Sequence, residues 1–120
     1  MEQRQLLGDY EFRDTDANAQ PILVDKDVRI LRWMLEPGQV IGDHAVPDSP
    51  FYIVVLQGRG VFTGDGSEGE YGPGSLLLFA QGEMHSVRAL DEALVFVSFM
   101  HGSDFMRPDH TGGEIGRSAR

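Results

Sequence analysis

Glycine punctuation constrains this chain more than any other feature. Fifteen glycines in 120 residues fall between short apolar runs such as "FYIVVLQ", "SLLLFA" and "LVFVSFM". Runs of that length suit strands, and glycine-bearing gaps suit the turns that join them. No stretch sustains helical periodicity beyond about three turns. Strands are therefore expected at Ile22–Val24, after the loop in "RDTDANAQPILV", and at Val28–Glu36, up to the Pro37-Gly38 turn. Further strands are expected through "QVIGDHAV", "FYIVVLQ", "VFT", "SLLLFA", "HSVRAL" and "LVFVSFM", with "GDGSEGE" as a hairpin loop. About eight or nine strands at this spacing predict a single all-β domain, a small sandwich or barrel.

The barrel itself is expected over residues 28–100. Residues 1–27 supply an N-terminal strand and loop, and residues 101–120 a tail. In the tail the strand pattern lapses: Phe105 and Met106 are candidates to pack on the barrel, and the last ten residues or so are expected to be mobile.

Composition narrows the partners. The formal charge is -9 with only ten Lys and Arg, scattered along the chain, so a phosphate backbone would be repelled and nucleic acid is not expected as a partner. The longest apolar runs fall far short of the ~20 residues a membrane helix needs, so no membrane partner is expected. There is no cysteine, which excludes disulfides, thiolate zinc sites and a cysteine nucleophile. "MEQRQLLGDYEFRD" has no basic region followed by an apolar block, so no secretory leader is expected and the location expected is cytoplasmic. There is no Ser-His-Asp set, and "GDGSEG" lacks the lysine of a phosphate loop.

Two blocks carry a finer pattern. In the first, Gly38 is followed after five residues by His44, then Val46, Phe51 and, six residues later, Gly58. In the second, Gly74 is followed after five residues by Ala80, then Gly82, His85 and Ala89. In spacing these blocks resemble the two motifs of the cupins, G-x5-H-x-H-x3,4-E-x6-G and G-x5-P-x-G-x2-H-x3-N. The glycines at 38, 58, 74 and 82 match, as do His44 and His85. Val46 stands for the second His, Phe51 for the Glu, Ala80 for the Pro and Ala89 for the Asn. The resemblance covers roughly Val28–Met100 and implies a cupin-type jelly-roll β-barrel. Within the cupins, the chain resembles short single-domain members with a partly degenerate motif. Full-motif members bind a divalent metal through three His and one Glu, and small cupins are commonly homodimers that use their N-terminal strands.

Alternation of side chains sharpens the site. Gly42, His44 and Val46 are expected on one face, with Asp43 and Ala45 on the other. Phe51, Ile53 and Val55 should line the same interior, joined by His85, Val87 and Ala89, while Tyr52 and Arg88 face out. The expected ligand pocket is therefore His44, Val46, Phe51, Ile53, Val55, His85 and Val87, half polar and half apolar. For a metal ion (Zn, Fe, Mn or Ni), only His44 and His85 remain as motif ligands, with Glu83 or His101 as the third. A catalytic zinc needs three protein ligands, and non-haem iron needs two His and a carboxylate. Phe51 removes that carboxylate and offers an aromatic ring to an organic guest instead.

Three functions remain open: a module that binds a small organic ligand with no or weak metal; a metal-assisted dioxygenase, isomerase or decarboxylase acting on a small oxygen-rich compound; and a homodimer whose surface is its purpose. In the dimer, Trp33, itself either core or interface, and the edge near Ile22–Val24 would form the contact.

Overall fold

The computed structural model describes residues 1–102. Phe105, Met106 and the expected mobile tail lie outside the described residues. Nine strands run in chain order: β1 Asn18–Val24, β2 Val28–Leu35, β3 Val40–His44, β4 Phe51–Gln57, β5 Gly60–Gly64, β6 Ser67–Tyr71, β7 Leu76–Phe79, β8 His85–Ala89 and β9 Leu94–His101. The described residues include no helix, and so none long and apolar enough to cross a membrane.

All ladders are antiparallel. A five-stranded sheet has the order β1-β2-β9-β4-β7, and a four-stranded sheet has the order β3-β8-β5-β6. Apart from the β1–β2 and β5–β6 hairpins, chain neighbours alternate between sheets, as in a jelly roll. The inner faces pack a cluster that includes Leu31, Trp33, Leu35, Ile53, Val55, Phe62 and Phe96. Trp33 belongs here and not to an interface: it is 2% exposed, it stacks on Phe96 at 6.0 Å, and its Nε1–H donates to Ser98 Oγ at 2.9 Å.

Two expectations need correction. The sheets do not close into a barrel, because no ladder joins one to the other. Strands β6 and β7 are left as neighbouring free edges, and a cleft opens between them. The second correction concerns "GDGSEGE", which is not merely a loop. Asp65 and Gly66 both take positive φ, 43° and 86°, as a two-residue hairpin turn requires, and Ser67–Tyr71 returns as a strand paired with β5.

The N-terminal residues cross the outer face of the five-stranded sheet. The buried Arg32 guanidinium donates to the carbonyls of Leu6 and Gly8, both at 2.9 Å, and of Asp9 at 3.1 Å, with the Tyr10 ring 5.1 Å away. One arginine thus satisfies three loop carbonyls that would otherwise lie over apolar strands.

Candidate functional site

The motif glycines set the frame. Gly38, Gly58, Gly74 and Gly82 all have positive φ, at 82°, 77°, 89° and 78°. Residues with a Cβ rarely adopt this backbone. At Gly58 a Cβ would also run into the carbonyl oxygen of Ala93. These turns deliver β3, β4 and β8 to one place. The Gly82 N–H donates to Val46 O at 2.9 Å, and Gln81 Nε2 donates to Pro47 O at 2.8 Å. The second motif's turn therefore clamps the first motif's loop.

His44 and His85 face each other across the β3–β8 ladder, with ring centroids 4.1 Å apart. Strict alternation does not produce this. Between Ile41↔Val87 and His44↔His85, β3 spends three residues against two of β8, which is a bulge. The bulge turns both Ile41 (1% exposed) and His44 inward, whereas uninterrupted alternation put Gly42 with His44. Val40, which that phase would bury, is exposed. On the unbroken strands the expected faces hold. Phe51, Ile53 and Val55 are buried, as are His85, Val87 and Ala89, and Tyr52 and Arg88 face out.

The rings are tightly grouped. Phe51 stacks on His85 at 4.5 Å and 19°, and Phe79 approaches His85 at 4.9 Å. Phe51 is edge-on to His44 at 6.3 Å. Val46 is partly buried against the same core.

Hydrogen bonds assign the tautomers. His44 Nδ1 lies 2.9 Å from Gly42 O, and His85 Nδ1 lies 3.0 Å from Glu83 O. A carbonyl oxygen only accepts, so each Nδ1 carries the hydrogen and each Nε2 presents a lone pair. Two such lone pairs cannot bond to each other. His85 Nε2 is buried and has no partner among the described residues. Burial pushes the His85 imidazolium down to about 4, helped by its neighbour His44 and opposed by the Glu83 carbonyl. His44 is lowered too, chiefly by burial, against the Gly42 carbonyl and Asp43. At neutral pH both imidazoles are neutral acceptors.

The third metal ligand does not arrive. Glu83 caps its own turn, with Oε1 accepting from the Ala80 N–H at 2.8 Å. His101 is exposed at the end of β9, where its backbone N–H donates to Ser49 Oγ at 2.9 Å. Among the described residues, no group of three or more His, Cys, Asp or Glu is placed to hold a metal. Val46 offers no donor atom, and the Phe51 ring stands where the family motif has a carboxylate. These residues do not fit a resident metal held by three protein ligands.

Sequence reasoning missed a cavity near the pair. This cavity of about 420 Å³ opens between β5–β6 and β7, walled by Phe62, Tyr71, Leu77 and Phe79 with Glu68 and Glu83 on its polar side. Phe79 is shared: it lines this cavity and touches His85. The signal available was the uniformly apolar "LLLF" of β7, which has no alternation to show which residues point inward.

Comparisons with known proteins agree with this arrangement. The family model for the cupin domain matches residues 31–100. An RmlC-like cupin protein from Desulfovibrio desulfuricans is 27% identical with a TM-score of 0.74, covering 82% of this chain and 95% of that one. A conserved Klebsiella pneumoniae protein with a double-stranded beta-helix domain is 21% identical with a TM-score of 0.71, covering 77% and 82%. A Ralstonia eutropha protein with a provisional assignment as a mannose-6-phosphate isomerase is 20% identical with a TM-score of 0.72, covering 85% and 99%. No curated protein matches the chain.

Proposed function

This chain belongs to the cupin family, and from that premise we propose that it is a binding module holding a small organic molecule between its two sheets, with no or weak metal. The ligand pocket of this reading is centred on His44 and His85, with Val46, Phe51, Ile53, Val55 and Val87 around them. The observation that carries it is the buried, unpartnered Nε2 of His85 beside the second free Nε2 of His44. Leaving a buried acceptor unsatisfied costs about 1–3 kcal/mol. A guest that donates an O–H or N–H would recover that cost, and the cleft between β6 and β7, which shares Phe79 with His85, is the approach this reading assigns to it. Neutral imidazoles beside a stacked phenyl ring suit an organic guest better than a bare cation. A sensor, carrier or accessory role fits such a site.

The test joins two measurements on the full chain. Elemental analysis of protein purified without chelator is expected to find no stoichiometric transition metal after dialysis. A fragment screen read by imidazole resonances is expected to move the His44 and His85 signals with donor-bearing fragments. A tightly held stoichiometric metal would overturn the proposal, and so would a screen in which neither imidazole responds.

A second reading has one observation in its favour. Imidazoles whose Nδ1–H groups are held by carbonyls are oriented as metal-ligating histidines commonly are. In a metal-assisted enzyme acting on a small oxygen-rich substrate, His44→Ala and His85→Ala would each abolish both metal and turnover. Retention of full turnover by either variant would remove this reading. The quaternary state in both readings is a homodimer built on the free edge of β1, where Leu23 is exposed. Light scattering that finds a monomer at working concentration would overturn that assignment.

A further inference from the structure

We infer that the cleft between β6 and β7 selects organic cations, namely amines or quaternary ammonium groups carrying an apolar or aromatic body. The inference rests on the reading above that a small molecule enters between the sheets, and it names the chemical class of that molecule.

The walls come first. Phe62, Tyr71 and Phe79 present three aromatic rings to the cavity, with Leu77 beside them. Phe62 and Tyr71 are tilted to each other at 6.3 Å. Their space is made by glycines. Gly69 lies opposite Phe62 in the β5–β6 ladder, and a Cβ there would come within 2.6 Å of Tyr71 ring carbons. Gly64 lies opposite His85, and a Cβ there would come within 2.6 Å of Glu83 Oε2 and 3.1 Å of the Phe79 ring. A side chain at either position would displace the ring or carboxylate that walls the cleft.

The charges come second. Glu68 and Glu83 line the cleft, and among the described residues neither Lys nor Arg does. Arg59 is paired with Glu70 at 3.6 Å, and neither lines the cleft. Aromatic faces carry negative quadrupoles and attract cations within about 6 Å of the ring centroid. Behind Phe79, which lines the cleft and lies against His85, the free Nε2 atoms of the histidine pair accept hydrogens and offer none. Apart from hydroxyl groups at the rim, the fixed chemistry of the space welcomes positive charge and donor hydrogens. A net charge of -9 acts in the same sense at long range. Carboxylates and phosphates meet repulsion at each of these steps.

Three ring-matched probes separate charge from shape: benzylamine (protonated at pH 7.5), benzyl alcohol and benzoate, each titrated calorimetrically into the full chain. Benzylamine is expected to bind roughly five- to thirtyfold more tightly than benzyl alcohol, the range a cation–π contact supplies, and benzoate is expected not to bind. The double variant Glu68→Gln/Glu83→Gln keeps a carbonyl oxygen for the Ala80 cap and, with the three rings intact, should lower the benzylamine-to-alcohol ratio without bringing it to one. Gly69→Val should abolish binding of both while leaving the thermal unfolding transition cooperative. Benzoate binding as tightly as benzylamine would overturn the inference, as would a ratio the double variant leaves unchanged. If benzyl alcohol and benzylamine bind equally and both move the histidine resonances, the charge selection falls while the binding-module reading stands. If none of the three binds, and the fragment screen also leaves both imidazoles unmoved, both fall together.

Discussion

The inner end and the mouth of the inter-sheet space use similar side chains to opposite effect. At the inner end large residues face large residues: Phe51 pairs with Phe79, and both rings lie against His85. These rings lie close together, and His85 is 1% exposed. At the mouth two of the rings face glycines: Phe62 opposes Gly69, and Tyr71 opposes Gly60. There the rings line a cavity instead of closing one. Ring count does not decide whether this space is core or pocket. The partner across the ladder does.

The hardest test of that contrast is Phe51→Glu, which restores the motif carboxylate at the inner end. It removes a ring stacked on His85 and buries a carboxylate, so the metal-free variant should lose roughly 3–5 kcal/mol of stability. The new carboxylate joins two free Nε2 atoms, so added Zn²⁺ should recover part of the loss by binding the folded state. Thermal unfolding with and without Zn²⁺ reads both effects. A variant as stable as the parent without metal would mean the inner end is not packed around this ring.

Acid titration sharpens the comparison next, because among the described residues only the inner end buries neutral imidazoles. His85 titrates at about 4 in the folded chain and near 6.5 when unfolded. Between those values the unfolded chain binds the extra proton, so stability is full above pH 6.5 and is lost as pH falls towards 4. The loss from His85 alone is on the order of 3 kcal/mol, and His44 acts in the same direction. Urea unfolding of the parent and of His85→Leu, at pH 7 and at pH 4.5, isolates this contribution. The parent should lose more stability than the variant. Equal losses would place the imidazole in contact with water.

How far the sequence foretold this follows the same division. Glycines at fixed spacing announced the turns, and their positive φ values give the reason. Strands β4 and β8 alternate cleanly, so the inward set Phe51, Ile53, Val55, His85 and Val87 was readable from parity. Strand β3 was not, because a bulge between Ile41 and His44 shifts the phase, and Gly42 within it was its one signal. The mouth was nearly invisible. The strand "SEGEY" is polar because one face meets solvent and the other an open cleft, so it has no apolar alternation to read. Its one clear signal was Asp65-Gly66, a dipeptide that favours the positive-φ hairpin turn. The edge of β7 carries Leu76 and Leu78 in exposed positions, and apolarity alone could not phase it. Closure failed for a related reason: a barrel needs β6 and β7 to pair, and the cavity between them keeps them apart.

The smallest effect is expected from Tyr71→Ala, and it separates mouth from inner end most directly. Tyr71 is 41% exposed and lies over Gly69 at the edge of the four-stranded sheet. Much of its ring already meets water, so truncation forfeits little burial and leaves no sealed void. The cost should stay within about 1 kcal/mol, whereas Phe51→Ala, at 4% exposure, should cost roughly 3–5 kcal/mol. Denaturant midpoints of the two variants, taken side by side, give the ratio. Benzylamine affinity should rank them in reverse: Tyr71→Ala strips one wall from the cleft, while Phe51 does not line it. Two variants of equal stability would make Tyr71 a core residue, and the opening beside it a packing gap with no role in binding.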